Sequence, residues 1–164
     1  MATTYTFKGM ANQIPYDAFG FAVLKKNINI GELVASGYGK LALASAPTVG
    51  LTSFSGFAGA SSDVLQVFGI PAGTLVTGMG IRISSADTNA ATAALGDGNN
   101  TAGWGAAKAI NATGNQITLK NDAYGPDNVS GVLYTAADTL DILFASATAI
   151  DAVLDVWAIV QKVY

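Results

Sequence analysis

The chain has no cysteine and no histidine, and its single glutamate and single arginine are Glu32 and Arg82. Without cysteine there is no disulfide framework and no thiol nucleophile, and the redox compartment is left unmarked. Without histidine the usual zinc ligand sets and histidine-based triads cannot be built from this chain. Basic residues number 8 against 11 acidic ones, for a net charge of -3. Phosphate contacts need clustered lysine and arginine, so this balance argues against a nucleic-acid partner. Lys25 and Lys26 are the only adjacent basic pair, and they read as a solvated strand or edge feature rather than a phosphate site. Two long uncharged stretches, residues 41–62 and 64–81, are broken by proline, glycine and serine and do not read as membrane helices. A small membrane barrel would show interfacial aromatic girdles, which are not evident, so no membrane partner is expected. The N-terminus lacks a basic region followed by an apolar run, and no secretory signal is read there.

The 164 residues suit one domain with a real core. Charged residues make up 12 % of the chain, about half the usual share, while 51 % are hydrophobic, much of that alanine. A surface so poor in charge fits either a quiet β-domain or a chain that buries surface against neighbours. The best-patterned stretch is residues 63–83. Val64, Leu65, Val67, Phe68 and Ile70 form a short apolar run, Pro71, Ala72 and Gly73 break it, and Leu75, Met79, Ile81 and Ile83 follow on one parity. That pattern predicts strand, tight corner, strand, arranged as a hairpin with one buried face.

Further strands are expected at residues 19–30, 90–95, 116–120, 132–135, 140–144 and 153–163, with a strand or short helix at 104–111. In the first of these, Ala22, Leu24, Ile28 and Ile30 share a parity that Lys26 interrupts. The last is apolar on both parities, so it sits centrally or packs one face on a partner. Eight or nine short strands, turn signals between them and almost no amphipathic helix indicate an all-β antiparallel sandwich. Most connections are too long for tight hairpins, which favours a jelly-roll-like sandwich over an up-and-down barrel. Residues 1–20 read as an extended N-terminal arm and residues 21–164 as a single sandwich domain. Residues 37–60, long and rich in small side chains, have the poorest strand pattern.

The polar groups offer little chemistry. Asp138 and Asp141, at a strand start, are the nearest thing to a catalytic carboxylate pair, and the plainer reading makes them turn and solvent-face residues. Asp97, Gly98 and Asn99 suggest an oxygen-rich calcium loop, but an EF-hand's alternating ligands and terminal glutamate are missing; an Asx-type turn is the simpler reading. Three Asn-x-Ser/Thr patterns, at Asn99, Asn111 and Asn128, read as ordinary loop chemistry without a secretory signal. Trp104 and Trp157 are candidate sugar platforms, with core or interface as the plainer reading for Trp157. No catalytic, cofactor-binding or metal residue is assigned, and no cofactor is expected.

Four pieces of the chain carry a family resemblance. They are Phe68-Gly69-Ile70-Pro71-Ala72-Gly73-Thr74, then Leu95-Gly96-Asp97-Gly98 with Gly103-Trp104, then Tyr134-Thr135-Ala136-Ala137-Asp138-Thr139, and the apolar closing strand through Val156. In this order they resemble small structural proteins of tailed bacteriophages, over about residues 63–163 and more weakly over 21–35. The resemblance implies a capsid decoration (cement) protein with a jelly-roll-like fold, often trimeric, bound to the outer capsid surface of the virion. Its implied partners are the major capsid protein and further copies of itself, and it brings no active site. Segments 1–20 and 37–60 are then the expected contacts with the shell. Two other classes stay open. A carbohydrate-binding or host-adhesion module predicts exposed aromatics on one face, such as Trp104, Tyr124 and Tyr134. A β-sandwich hydrolase predicts two converging aspartates in a deep pocket.

Overall fold

The computed structural model describes residues 4–6, 14, 16–31, 63–114, 116–118, 131–146 and 150–163. They hold ten strands: β1 (Thr4–Thr6), β2 (Phe21–Asn29), β3 (Val64–Ile70), β4 (Thr74–Ser85), β5 (Ala91–Asp97), β6 (Gly105–Ala109), β7 (Gln116–Thr118), β8 (Val132–Tyr134), β9 (Asp138–Ser146) and β10 (Val153–Lys162). One sheet has the order β1-β3-β9-β5-β6 and the other β2-β10-β4-β7, with β8 also on β4. We call them the β3 sheet and the β10 sheet. Strands β7 and β8 share one edge of β4: β8 pairs with Thr74, Leu75 and Val76, and β7 with Gly80, Ile81 and Arg82. Setting β1 and β8 aside, the orders 3-9-5-6 and 2-10-4-7 are those of a jelly roll, two four-stranded antiparallel sheets packed face to face. The expected all-β sandwich is therefore the fold observed. Residues 37–60 lie outside the described residues.

Within residues 1–20, the described residues include one strand, β1. Thr4–Thr6 pairs with Val64, Leu65 and Gln66 as a parallel strand on the edge of β3, the one parallel pairing among the described strands.

Both sheets turn their apolar parity inward. From the β3 sheet come Leu65, Val67, Ile70, Leu95, Leu140, Ile142 and Phe144; from the β10 sheet come Ile28, Val76, Met79, Ile81, Ile83, Leu154, Val156 and Val160, all buried. β10 is central in its sheet, between β2 and β4; Leu154, Val156, Ala158 and Val160 on its inner parity are buried, while Ile159 on the other parity is exposed.

Three expectations are corrected. Residues 63–83 do not form a hairpin: β3 and β4 belong to different sheets, and residues 71–73 carry the chain across the sandwich. Both strands look one-faced because each lines the same core from opposite sides. Gly73 makes this corner with φ of +80°, a conformation that costs a glycine nothing.

The second correction concerns Leu75. A register shift sits opposite Ile159 and Val160, where Ile159 pairs with Gly78 but Val160 pairs with Val76. The extra residue, Thr77, flips the phase, so Val76 faces the core and Leu75 faces outward.

The third is Lys26, which is buried rather than solvated. It keeps the inward parity of Ala22 and Ile28, and its Nζ donates to the Val67 carbonyl at 2.8 Å and lies 5.7 Å from the centre of the Phe68 ring. Val67 has no register partner on β9, where Gln66 faces Asp141 and Phe68 faces Leu140. A bulge of this kind leaves its extra residue off the ladder. The ammonium meets that carbonyl from the opposite sheet, and burial lowers its pKa to about 7.

Candidate functional site

Two regions of the surface stand out, and both lie at one end of the sandwich. The first is a set of polar ties. Tyr134, on β8, points inward and donates its hydroxyl to Asp97 Oδ2 across the interior at 2.7 Å. The Trp104 indole N–H donates to the same hydroxyl at 3.0 Å. The other Asp97 oxygen accepts the amides of Asn99 and Asn100, at 3.0 and 2.8 Å, which closes the expected Asx-type turn. Asp138 accepts from the Gly98 amide at 3.1 Å and from Asn99 Nδ2 at 2.7 Å, fastening that turn to the start of β9. The Gly73 amide bonds the Tyr134 carbonyl, and the Tyr16 and Thr74 hydroxyls share a bond of 3.2 Å. The three pieces containing Gly73, Asp97 with Trp104, and Tyr134 with Asp138 thus meet in one hydrogen-bonded corner. Their spacing in the sequence records a tertiary junction.

A cleft of about 500 Å³ opens beside this corner, lined by Asp97, Asn99, Val132, Tyr134, Thr135 and Asp138. Both carboxylates that line it have each oxygen engaged as a hydrogen-bond acceptor. Asp141, the other half of the sequence-level pair, does not line the cleft and is not on a solvated face. It sits on the outward parity of β9, opposite Gly96 and Gln66, yet is only 2 % exposed. The backbone of Asn100 and Thr101 lies where a Gly96 side chain would be, so the turn folds back over the sheet beside Asp141. Burial pushes the Asp141 carboxyl up to about 6; the Thr139 hydroxyl opposes the shift, and the charges of Asp138 and Asp97 add to it. The hydroxyl is near enough to favour the carboxylate, yet neither Thr139 Oγ1 nor Asp141 Oδ1 completes a hydrogen bond. No group of three or more His, Cys, Asp or Glu converges as a metal cradle among the described residues.

The second region is the outer face of the β10 sheet. Registers put Val23 beside Ile159, Phe21 beside Gln161, Gln161 beside Leu75, and Leu75 beside Leu133, in rows across β2, β10, β4 and β8. Phe21, Val23, Leu133, Ile159 and Val163 are all exposed. Phe19 stands at the rim, 82 % exposed. Its turn is firmly built: Asp17 Oδ1 accepts the amides of Phe19 and Phe21, both at 2.8 Å, and Gly20 is tied to Lys162 by its carbonyl. Farther along the face Trp157 lies flat over Gly80, where any side chain would collide with the indole. The opposite end of the face is polar. Asp155 accepts from Asn27 Nδ2 at 2.6 Å and from the Ser84 hydroxyl. Burial works against its charge, but these two bonds and Arg82 hold its pKa below the ordinary carboxylate range.

Of the aromatics expected on an exposed sugar-binding face, Trp104 and Tyr134 are buried in the core, and Tyr124 lies outside the described residues. The apolar face was missed at the sequence level. Its signal is Phe21 and Val23 on the outward parity of β2, with Phe19 in the turn before it; the expected strand at 19–30 rests on the other parity alone.

No protein-family model and no curated protein matches the sequence. Among solved structures, the fold is similar to a chain in the capsid of Ralstonia phage GP4, with a TM-score of 0.55, 10 % identity and 98 % of each chain covered. Likenesses with a TM-score of 0.43 are found to the acid-stable capsid of Helicobacter pylori bacteriophage KHP30, at 11 % identity, and to the capsid of cyanophage Pam1, at 17 %, each over 91 % of both chains. The class defined by fold and surface is thus an all-β jelly-roll sandwich with one apolar outer face. The likeness to the Ralstonia phage GP4 capsid chain is one of fold, and it spans almost the whole chain.

Proposed function

We propose that this chain is a virion structural protein, a capsid decoration (cement) protein. In this reading it binds the outer capsid surface of a bacteriophage head, takes the major capsid protein as its partner, and works as a homo-oligomer, with a trimer favoured. The carrying observation is the whole-length jelly-roll likeness to a chain of a phage capsid. The motif resemblance to small phage structural proteins points the same way. The carboxylates nearest the cleft support a passive, non-enzymatic role, because they act as hydrogen-bond acceptors that fix turns. No nucleic acid, membrane or cofactor enters the mechanism.

The mechanism is geometric. A rigid sandwich adds buried interface across the joints between shell subunits, and interfaces of standard size bury about 1,600 Å² in total. A protein that binds the assembled shell but not free subunits stabilises assembly by mass action. The arm of residues 1–20 is the proposed shell contact, with residues 37–60 as the second; β1 is the arm's foothold on β3. The test is co-sedimentation of the purified protein with intact heads of its own virus, alongside a chain lacking residues 1–20. Saturable binding to heads, with reduced occupancy for the truncated chain, is expected. Absence of binding by the full chain would refute the decoration role, and unchanged occupancy after truncation would remove the arm from the contact.

A further inference from the structure

The inference concerns the apolar half of the outer β10-sheet face, and it rests on the homo-oligomer part of the reading above. We infer that a second copy of this chain docks there, with the Phe19 turn gripping its rim. Three observations choose this occupant.

The first is area. Taking an aromatic side chain at about 200 Å², Phe19, Phe21, Val23, Leu133, Ile159 and Val163 leave roughly 500 Å² of side-chain surface open per copy. A neighbouring copy that covers this surface buries a similar area of its own, so about 1,000 Å² is removed in total before the half-buried Leu75, Trp157 and Gln161 are counted, which reaches the size a specific interface needs. A patch of this size equals the largest that a typical monomer exposes, and such patches are often functional.

The second is charge. Copies of a chain with net charge -3 repel one another, so they meet most easily where carboxylates are few or engaged. On this face the described carboxylates are Asp17 and Asp155, at its two ends. Asp17 accepts two amides, and Asp155 is held by Asn27 and Ser84. Lys25 and Arg82, exposed on the same parity, offset them.

The third is preorganisation. The backbone that carries Phe19 is held by the Asp17 cap, by Gly20 at φ of +79°, and by the bond from the Lys162 amide to the Gly20 carbonyl. A knob carried on a fixed turn loses little backbone freedom on binding, so more of its contact energy appears as affinity.

The test is sedimentation equilibrium of the full chain and of the variants Val23→Glu, Phe19→Ser and Lys108→Glu. Lys108 is exposed on β6 of the opposite sheet and serves as the control. Circular dichroism checks folding, and Phe19→Ser replaces a side chain so exposed that it keeps the comparison valid if Val23→Glu misfolds. The expected result is an oligomer whose dissociation constant rises at least about tenfold, equivalent to 1.4 kcal/mol, in the two face variants and is unchanged in the control. A wild-type chain that stays monomeric at its highest soluble concentration overturns the inference. So does an oligomer that both face variants leave intact. The same samples are tested for head binding. Head binding by a monomer, lost in Val23→Glu, would give the face to the shell instead and leave the decoration role standing. An oligomer with the expected behaviour but no head binding would do the reverse.

Discussion

Burial lowers the Lys26 ammonium to about 7 and raises the Asp141 carboxyl to about 6, and each shift makes stability depend on pH. For Asp141 the folded value lies above the unfolded 3.8, so between about pH 4 and 6 the folded state holds a proton that the unfolded chain has lost. Stability therefore falls as pH rises through that window, and above it the ionised, half-satisfied carboxylate costs up to about 3 kcal/mol. For Lys26 the folded value lies below the unfolded 10.5. The penalty for its buried charge is complete below about pH 7 and fades as pH rises toward 10.5. The contribution of the two groups is thus least favourable between about pH 6 and 7. Thermal melting across this range is expected to show rising stability on both sides of that interval. Asp141→Asn is expected to abolish the acid-side rise and Lys26→Met the alkaline-side rise. A melting profile that both variants leave unchanged would count against these assignments. Tyr134 makes a different kind of contribution. Tyr134→Phe takes the acceptor from Trp104 and the donor from Asp97 inside the sandwich, and is expected to cost about 1–3 kcal/mol by chemical denaturation.

At the scale of elements, the turn after β5 is the piece most dependent on one residue. Gly96 leaves room for the backbone of Asn100 and Thr101 to lie against the sheet. In Gly96→Ala that backbone must lift, taking the cover off Asp141 and loosening the Asp97 and Asp138 ties. A loss of about 2–4 kcal/mol is expected, with hydrogen exchange rising in residues 98–103 while the β10–β4 ladder stays protected. Protection of that turn equal to wild type would contradict this. Much at this scale was legible in the sequence. The strands, the central place of β10 and the turn at Asp97 follow from parity and turn chemistry. What was not legible came from phase and from long-range covering. The Thr77 irregularity turned Leu75 outward, the β3 bulge gave Lys26 a partner in the core, and a loop from beyond Gly96 buried Asp141. In each case the deciding neighbour is distant in sequence, or an inserted residue changes the parity on which the reading relied.

At the scale of the whole molecule, the sandwich has two unlike regions, a polar corner and an apolar outer face. The hydrogen-bonded corner ties one end together, and the apolar outer face beside it is the surface proposed for assembly. The proposed role is that this chain binds the assembled head and strengthens it. The most direct measurement is the melting temperature of purified heads, stripped of this protein and then reconstituted with it. Heads that melt several degrees higher when saturated, and that show no change with a protein unable to bind, are the expected result. Saturated heads that melt at the same temperature as stripped ones would contradict the claim.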